Sequence, residues 1–169
     1  MEIVKTTGRV VIITGPVSTG KSWFSYKMMD SYNNGASVVI PFRKSSKNNM
    51  LMIQAILKSQ KEIEESVMSG IFTIINTHGI TYENLRALIV ALRIMGYNDT
   101  ITIVKLNLPE ALHLDYWKRN RNHKVISLDK IKKERRAFNR ILADDTMDDD
   151  NVVSVEVNNP DDVLYKFEI

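Results

Sequence analysis

Cysteine is absent from the 169 residues, which excludes a disulfide framework, a thiol nucleophile and a thiolate metal site. Proline and glycine are few, at four and seven, and no repeat or long linker interrupts the chain. No apolar run approaches the ~18 residues of a membrane span. The opening stretch Met1–Gly15 has an apolar segment, but it runs into glycine and charge rather than a cleavage site. A cytoplasmic location is the expectation. With 44% apolar and 25% charged residues the composition is that of an ordinary globular protein. A chain of this length removes roughly 70% of its unfolded surface from water, so one domain over 1–169 can build its core unaided.

The net charge is only +3, but it is unevenly spread. Between Lys118 and Arg140 ten Lys/Arg face two acidic residues, giving +8, while Asp144 to the end carries −8. A basic block of this kind suits a polyanion such as a nucleotide phosphate or a nucleic-acid backbone. A solvated helix neutralised by segment 144–150 is the alternative. Five short β-branched runs stand out: Arg9–Thr14, Ser37–Ile40, Ile71–Ile75, Thr100–Leu106 and Val152–Val157. Between them lie helix-period stripes: Ile53, Ile56, Leu57, Ile63 and Val67; then Leu85, Leu88, Ile89, Leu92 and Met95; then Leu128, Ile131, Phe138 and Leu142, interrupted by Arg135. Pro109 followed by Glu110 opens a further helix. Strand–helix alternation predicts an α/β fold with a parallel sheet covered on both faces.

The most specific feature is Gly15-Pro16-Val17-Ser18-Thr19-Gly20-Lys21-Ser22, a full GxxxxGK[ST] match. It follows the buried-strand run Val10-Val11-Ile12-Ile13 and precedes a helix-compatible Trp23–Met29, the context the motif requires. The glycines let successive N–H groups turn toward one anion, and the helix start adds free donors and partial positive charge. Lys21 is expected at the β- and γ-phosphates, and the Ser22 hydroxyl at Mg²⁺. The motif implies a nucleoside triphosphate.

A P-loop fixes the donor, not the reaction. In His113–Lys124 a helix ends in a cationic cluster. In small P-loop kinases arginines placed there close over the triphosphate as a lid, because the guanidinium fork donates to two phosphate oxygens at once. Arg119 and Arg121 are the candidates here. A basic helix C-terminus answering the macrodipole, at most ~1 kcal/mol per charge, is the competing reading, and the one preferred for His123 and Lys124.

Gly15–Ser22, the strand Phe72–Thr77 followed by Glu83-Asn84-Leu85-Arg86, then Leu108-Pro109-Glu110 and Lys118-Arg119-Asn120 stand in an order and spacing that resembles polynucleotide 5′-hydroxyl kinases. These are phage and bacterial end-healing enzymes, within the group that includes zeta-toxin-like kinases. The resemblance spans roughly residues 9–165. It implies an adenylate-kinase-like P-loop core, a five-stranded parallel sheet flanked by helices, and a helical lid over about 115–142. It also implies ATP with Mg²⁺ as donor and a nucleic-acid 5′-OH as acceptor, with Lys21 and Ser22 as phosphate and magnesium contacts and Arg119 as the lid arginine.

Two departures bear on that expectation. The family places an aspartate just beyond the second strand as general base, with an arginine shortly after. This stretch reads Val38-Val39-Ile40-Pro41-Phe42-Arg43-Lys44: Arg43 fits as the arginine, but no carboxylate lies between Asp30 and Glu62. After the third strand an Asp-x-Thr-Asn-like segment is expected, and Asn76-Thr77-His78-Gly79 is found. Asparagine brings no negative charge to a metal. A missing base removes typically 10²–10⁴-fold and leaves positioning and electrostatics intact. His78 is the ionisable residue near that strand end, and reads first as an ordinary turn histidine.

Three functions remain open at this level: a polynucleotide 5′-hydroxyl kinase, a kinase of a small acceptor such as a nucleoside, nucleotide or sugar nucleotide, and a nucleotide-binding module that has lost transfer. Trp23, Phe24 and Trp117 are expected in packing, Tyr32 on a helix surface. The acidic run Asp144–Asp150 lacks the glycine and terminal glutamate of a calcium loop and is expected as a solvated loop. Asn158–Asp162 is expected as a turn starting a final helix.

Overall fold

Val10, Val11, Ile12 and Ile13 are all inaccessible to solvent, as a strand covered on both faces requires. They form most of β2 (Val10–Thr14), the centre of a five-stranded parallel sheet in the order β3-β4-β2-β5-β6. The other strands are β3 (Ala36–Val39), β4 (Phe72–Asn76), β5 (Ile101–Leu106) and β6 (Val152–Val157). The computed structural model describes residues 1–32, 34–39, 49–77, 81–119 and 124–169, the side chains at 39 and 49–58 excepted. The helices are α1 (Lys21–Ser31), α2 (Asn49–Met68), α3 (Tyr82–Ile94), α4 (Glu110–Arg119) and α5 (Leu128–Leu142). Among the described residues no helix is long and apolar enough to cross a membrane.

The period-2 alternation of β2 divides the core. Val10 and Ile12 pack with Ile63 and Val67 of α2, Leu85, Ile89 and Leu92 of α3, and Phe138 and Ile141 of α5. Val11 and Ile13 face the other way, with Phe24 and Met28 of α1 and Tyr116 of α4. The α3 stripe and Ile63 and Val67 of the α2 stripe are therefore core faces, whereas Leu128 of the third stripe is exposed, and the side chains of Ile53, Ile56 and Leu57 lie outside the described ones. On α5 the buried set is Ile131, Phe138 and Ile141, with Leu142 only partly covered.

One expectation fails at the C-terminus. Val163–Glu168 is a strand, β7, paired in parallel with β1 (Glu2–Thr7) as a second, two-stranded sheet. The reason is visible in the residues: Val163, Tyr165 and Phe167 alternate with exposed Leu164, Lys166 and Glu168, a period of 2 rather than 3.6. This sheet closes the α1 face. Tyr165 meets Phe24 at 5.5 Å between ring centroids, and Phe167 meets Phe72 edge-on at 5.5 Å. Tyr32, expected on a surface, stacks on Phe72 at 4.4 Å. Trp23, expected in packing, is instead 44% exposed.

The acidic run is a loop with Asp145, Thr146, Asp148 and Asp150 exposed, as expected, but it is anchored at three points. Arg93 holds Asp149 through two bonds, Nε to Oδ2 at 2.8 Å and Nη2 to Oδ1 at 2.9 Å. The Tyr82 hydroxyl donates to Asp144 at 2.5 Å, and Met147 is buried in the core. Beneath it Lys105 of β5, 2% exposed, donates from Nζ to the carbonyls of Ile141 (2.8 Å) and Asp144 (2.9 Å). A cation thus satisfies the carbonyl end of α5, where the helix leaves acceptors unpaired. Lys105→Met removes the ammonium from both carbonyls and leaves Ile141 O only the long bond from Asp144 N–H at 3.3 Å. The expected cost is about 2–3 kcal/mol, read as a lower urea midpoint at unchanged slope.

Candidate functional site

The segment between β2 and α1 takes the alternating backbone of an anion cradle. Ser18 (φ 63°) and Gly20 (φ 82°) lie in the left-handed region on either side of Thr19, an arrangement that turns successive amides inward. Gly20 is also the N-cap of α1, with no side-chain capping bond, so the helix start offers its free N–H groups to a ligand. Gly15 is required for space: a Cβ there would lie 3.0 Å from Thr19 Oγ1 and 3.1 Å from the Leu106 Cβ. The Thr19 hydroxyl, itself buried, pins the turn by donating to Pro16 O at 2.8 Å.

Lys21 is folded into this loop. Its Nζ donates to Gly15 O (2.8 Å) and Pro16 O (2.9 Å). Burial pushes its ammonium down to about 8, opposed by the charge of Glu134. Ser22 is exposed at the head of α1 and its Oγ accepts from Asn76 Nδ2 at 3.1 Å. Ser22, the residue expected at a metal, is thus bonded to Asn76, which stands where the family's pattern has an aspartate. Ser22 supplies a hard oxygen of the type Mg²⁺ takes, and fits it as one ligand among phosphate oxygens and water. Among the described residues no cluster of three or more His, Asp or Glu gathers into a metal site. Thr77 closes the same edge, donating from Oγ1 to Ile13 O at 2.7 Å.

The loop is gripped from behind by residues that the motif does not contain. His113 of α4 is fully buried. Arg135 Nη1 donates to its Nδ1 (3.1 Å) and to Leu108 O (2.9 Å). Nε2 therefore carries the proton and donates to Val17 O at 2.7 Å. Burial first, then the charges of Arg135 and Lys21, hold the ring's pKa below the usual histidine value, against the Val17 bond and Glu134, which raise it. On the other side of the same residue, Val17 N–H donates to Glu134 Oε1 at 2.8 Å. Arg135, an interruption of the apolar stripe in sequence, is thus a tether between α5 and the loop. Only a histidine and an arginine on successive helices, each on an inward face, hinted at this pairing.

Arg119 ends α4. Its Nε donates to Asp115 Oδ2 at 2.9 Å and its guanidinium lies 5.5 Å from the Tyr116 ring centroid. A Cβ placed on Gly20 would meet that ring at 3.5 Å, and the Tyr116 hydroxyl donates to Asp161 at 2.6 Å. Arg119 therefore stands one aromatic ring away from the cradle, beside the 158–162 turn. Trp117 joins α4 to the start of α5 by donating to Ile126 O at 2.8 Å. Lys124 is exposed. Arg43, Pro41, Phe42, His78, Arg121 and His123 lie outside the described residues. A cavity of about 290 Å³ opens beside Pro16, between Asn107 at the end of β5 and Lys132, Arg136 and Asn139 of α5.

No protein-family profile matches the chain, and no curated protein matches it by sequence. Solved structures do. A gluconokinase from Sinorhizobium meliloti 1021 superposes with a TM-score of 0.56 at 12% identity, covering 89% of this chain and 83% of that one. The YorR protein of Bacillus subtilis, solved in complex with phosphorylated GDP, superposes with a TM-score of 0.54 at 13% identity, over 90% and 85% of the two chains. The likeness establishes the α/β fold that the chain shares with them, a parallel five-stranded sheet flanked by helices.

The buried ammonium gives the site a proton signature. A phosphate docking on Lys21 raises its pKa from about 8, so above that pH binding draws in a proton, whereas below it the amine is already charged. Titration calorimetry with ATP in two buffers of different ionisation enthalpy is expected to show uptake of most of one proton at pH 9.

His113→Phe leaves Val17 O without its donor. About 1–3 kcal/mol is expected to be lost, seen as a lower unfolding midpoint and weaker ATP binding.

Proposed function

We propose that this chain is a nucleoside-triphosphate-dependent phosphotransferase whose acceptor is a small molecule. The observation that carries the reading is the cradle itself: the Ser18 and Gly20 backbone with Lys21 folded inside and Ser22 at the helix head. Phosphoryl transfer asks a protein chiefly for such positioning and charge. Lys21 would turn outward to the β- and γ-phosphates, and the amides of the cradle would hold the chain of phosphates in line. Mg²⁺, held by Ser22 Oγ and by phosphate oxygens and water, would neutralise charge on the transferring group. Arg119 is placed to exchange its Asp115 pairing for a phosphate.

Two features favour a small acceptor. The cavity beside Pro16 lies at the lower end of the range for small-molecule sites, and its cations Lys132 and Arg136 suit an anionic group on the acceptor. The superposable proteins include a gluconokinase and a protein solved with a phosphorylated nucleotide, which extends to this chain only as an analogy of fold. The polynucleotide 5′-hydroxyl reading keeps as its support the cationic run on α5, and the module without transfer keeps Asn76 at the metal edge.

The deciding experiment offers γ-labelled ATP and Mg²⁺ with sugar acids, nucleosides, nucleoside monophosphates and a 5′-OH oligonucleotide. Label is expected in a small acceptor and not in the oligonucleotide. Lys21→Ala is expected to abolish triphosphate binding, and Arg119→Ala to lower kcat more than affinity. Label in the oligonucleotide alone, with affinity falling steeply with salt, would replace this reading by the polynucleotide one. Tight ATP binding without transfer to any acceptor would leave the binding module.

A further inference from the structure

The loop that would receive a triphosphate already faces an anion. Glu134 of α5, half-buried, accepts from the Val17 amide at 2.8 Å, and among the charges near the Lys21 ammonium it is the one that stabilises the charged form. A carboxylate taking a backbone N–H at the tip of an anion cradle, within the field of its lysine, stands where a ligand's terminal phosphate would arrive. Its position is not incidental to the helix surface. Arg135, the next residue, is bonded to Leu108 O and to the histidine that holds Val17 O. Val17 is therefore held at its N–H by Glu134 of α5 and at its C=O by His113 of α4, which Arg135 of α5 in turn holds.

We propose that Glu134 is a specificity-determining residue of the nucleotide site, repelling the γ-phosphate of a triphosphate more than it repels a diphosphate. The inference rests on the reading of residues 15–22 as a nucleotide site. A γ-phosphate brings like charge up to the carboxylate, so the side chain must swing away from Val17, or the triphosphate binds against it. A diphosphate, ending one phosphate short, leaves the Glu134–Val17 bond in place. The ligand can shift this local equilibrium only by its differential affinity for the two arrangements. Glu134 thus sets the ratio of triphosphate to diphosphate affinity.

Calorimetric titration with ATP and with ADP tests this on the wild type, Glu134→Gln and Glu134→Ala. Glutamine keeps a carbonyl that can accept from Val17 and removes only the charge. Both variants are expected to bind ATP about tenfold more tightly, with ADP affinity changed less than threefold, and the gain to shrink as salt rises. Asp129→Asn, exposed in the first turn of the same helix, is expected to leave both affinities as they are. Equal gains for ATP and ADP, or no gain for ATP in either variant, overturn the proposal while sparing the nucleotide site. A folded wild type and folded variants that bind neither nucleotide overturn the site and this proposal with it.

Discussion

An ammonium leaves water only where other groups answer its charge, and Lys21 is such an ammonium. Two loop carbonyls and the field of Glu134 answer it here, at the cost of a pKa pushed down to about 8. The strained Ser18, the glycine at position 20 and the absence of a capping side chain all follow from keeping that place ready for something more negative than a carbonyl. A loop built only to join a strand to a helix would cap the helix with a serine or aspartate and have no use for a buried lysine.

The loop is held in that state by α5, and α5 by the sheet. At one end Lys105 ties the Ile141 carbonyl to β5. In the same half Phe138 and Ile141 enter the core. In the middle of the helix Glu134 and Arg135 reach the two sides of Val17, the second through His113. A cation and an apolar face anchor the helix, so its polar turn can be spent on the loop. The same helix presents Lys132 and Arg136 to the cavity beside Pro16. One helix thus carries side chains that reach both the cradle and the cavity.

What was legible in the sequence was local. The P-loop, the five strand runs and the helix stripes depend on neighbours within a few turns, and each appears within a residue or two of its expected place. Pairings across the chain were not legible. His113 and Arg135 lie 22 residues apart and meet only because α4 and α5 both return to the end of β5. Lys105 sits in an apolar strand, and its partners lie 36 and 39 residues away. Nothing nearby in sequence says which carbonyls it will cap. The acidic run looked like a solvated loop because its cations, Arg86 and Arg93, lie on α3. Val163–Glu168 is a different case: the alternation of Val163, Tyr165 and Phe167 with Leu164, Lys166 and Glu168 is local and plain, but Asn158–Asp162 before it also has the residues of a helix-starting turn.

The metal edge follows from the same electrostatics. Asn76 donates to Ser22, so the hydroxyl oxygen keeps a lone pair for a cation but gains no negative neighbour. An aspartate there would compensate a divalent ion and weaken the pull of Lys21 on phosphate. With asparagine, the carboxylate bonded to the loop itself is Glu134, while Asp115 and Asp161 stand by Arg119 and Tyr116 of α4. Removing one acid from the metal edge and placing another at the loop tip moves the negative charge from the cation's side of the nucleotide to its terminal phosphate. On the proposed function, a magnesium ion would be held chiefly by the nucleotide it accompanies, and discrimination among nucleotides would fall to the helix that carries Glu134.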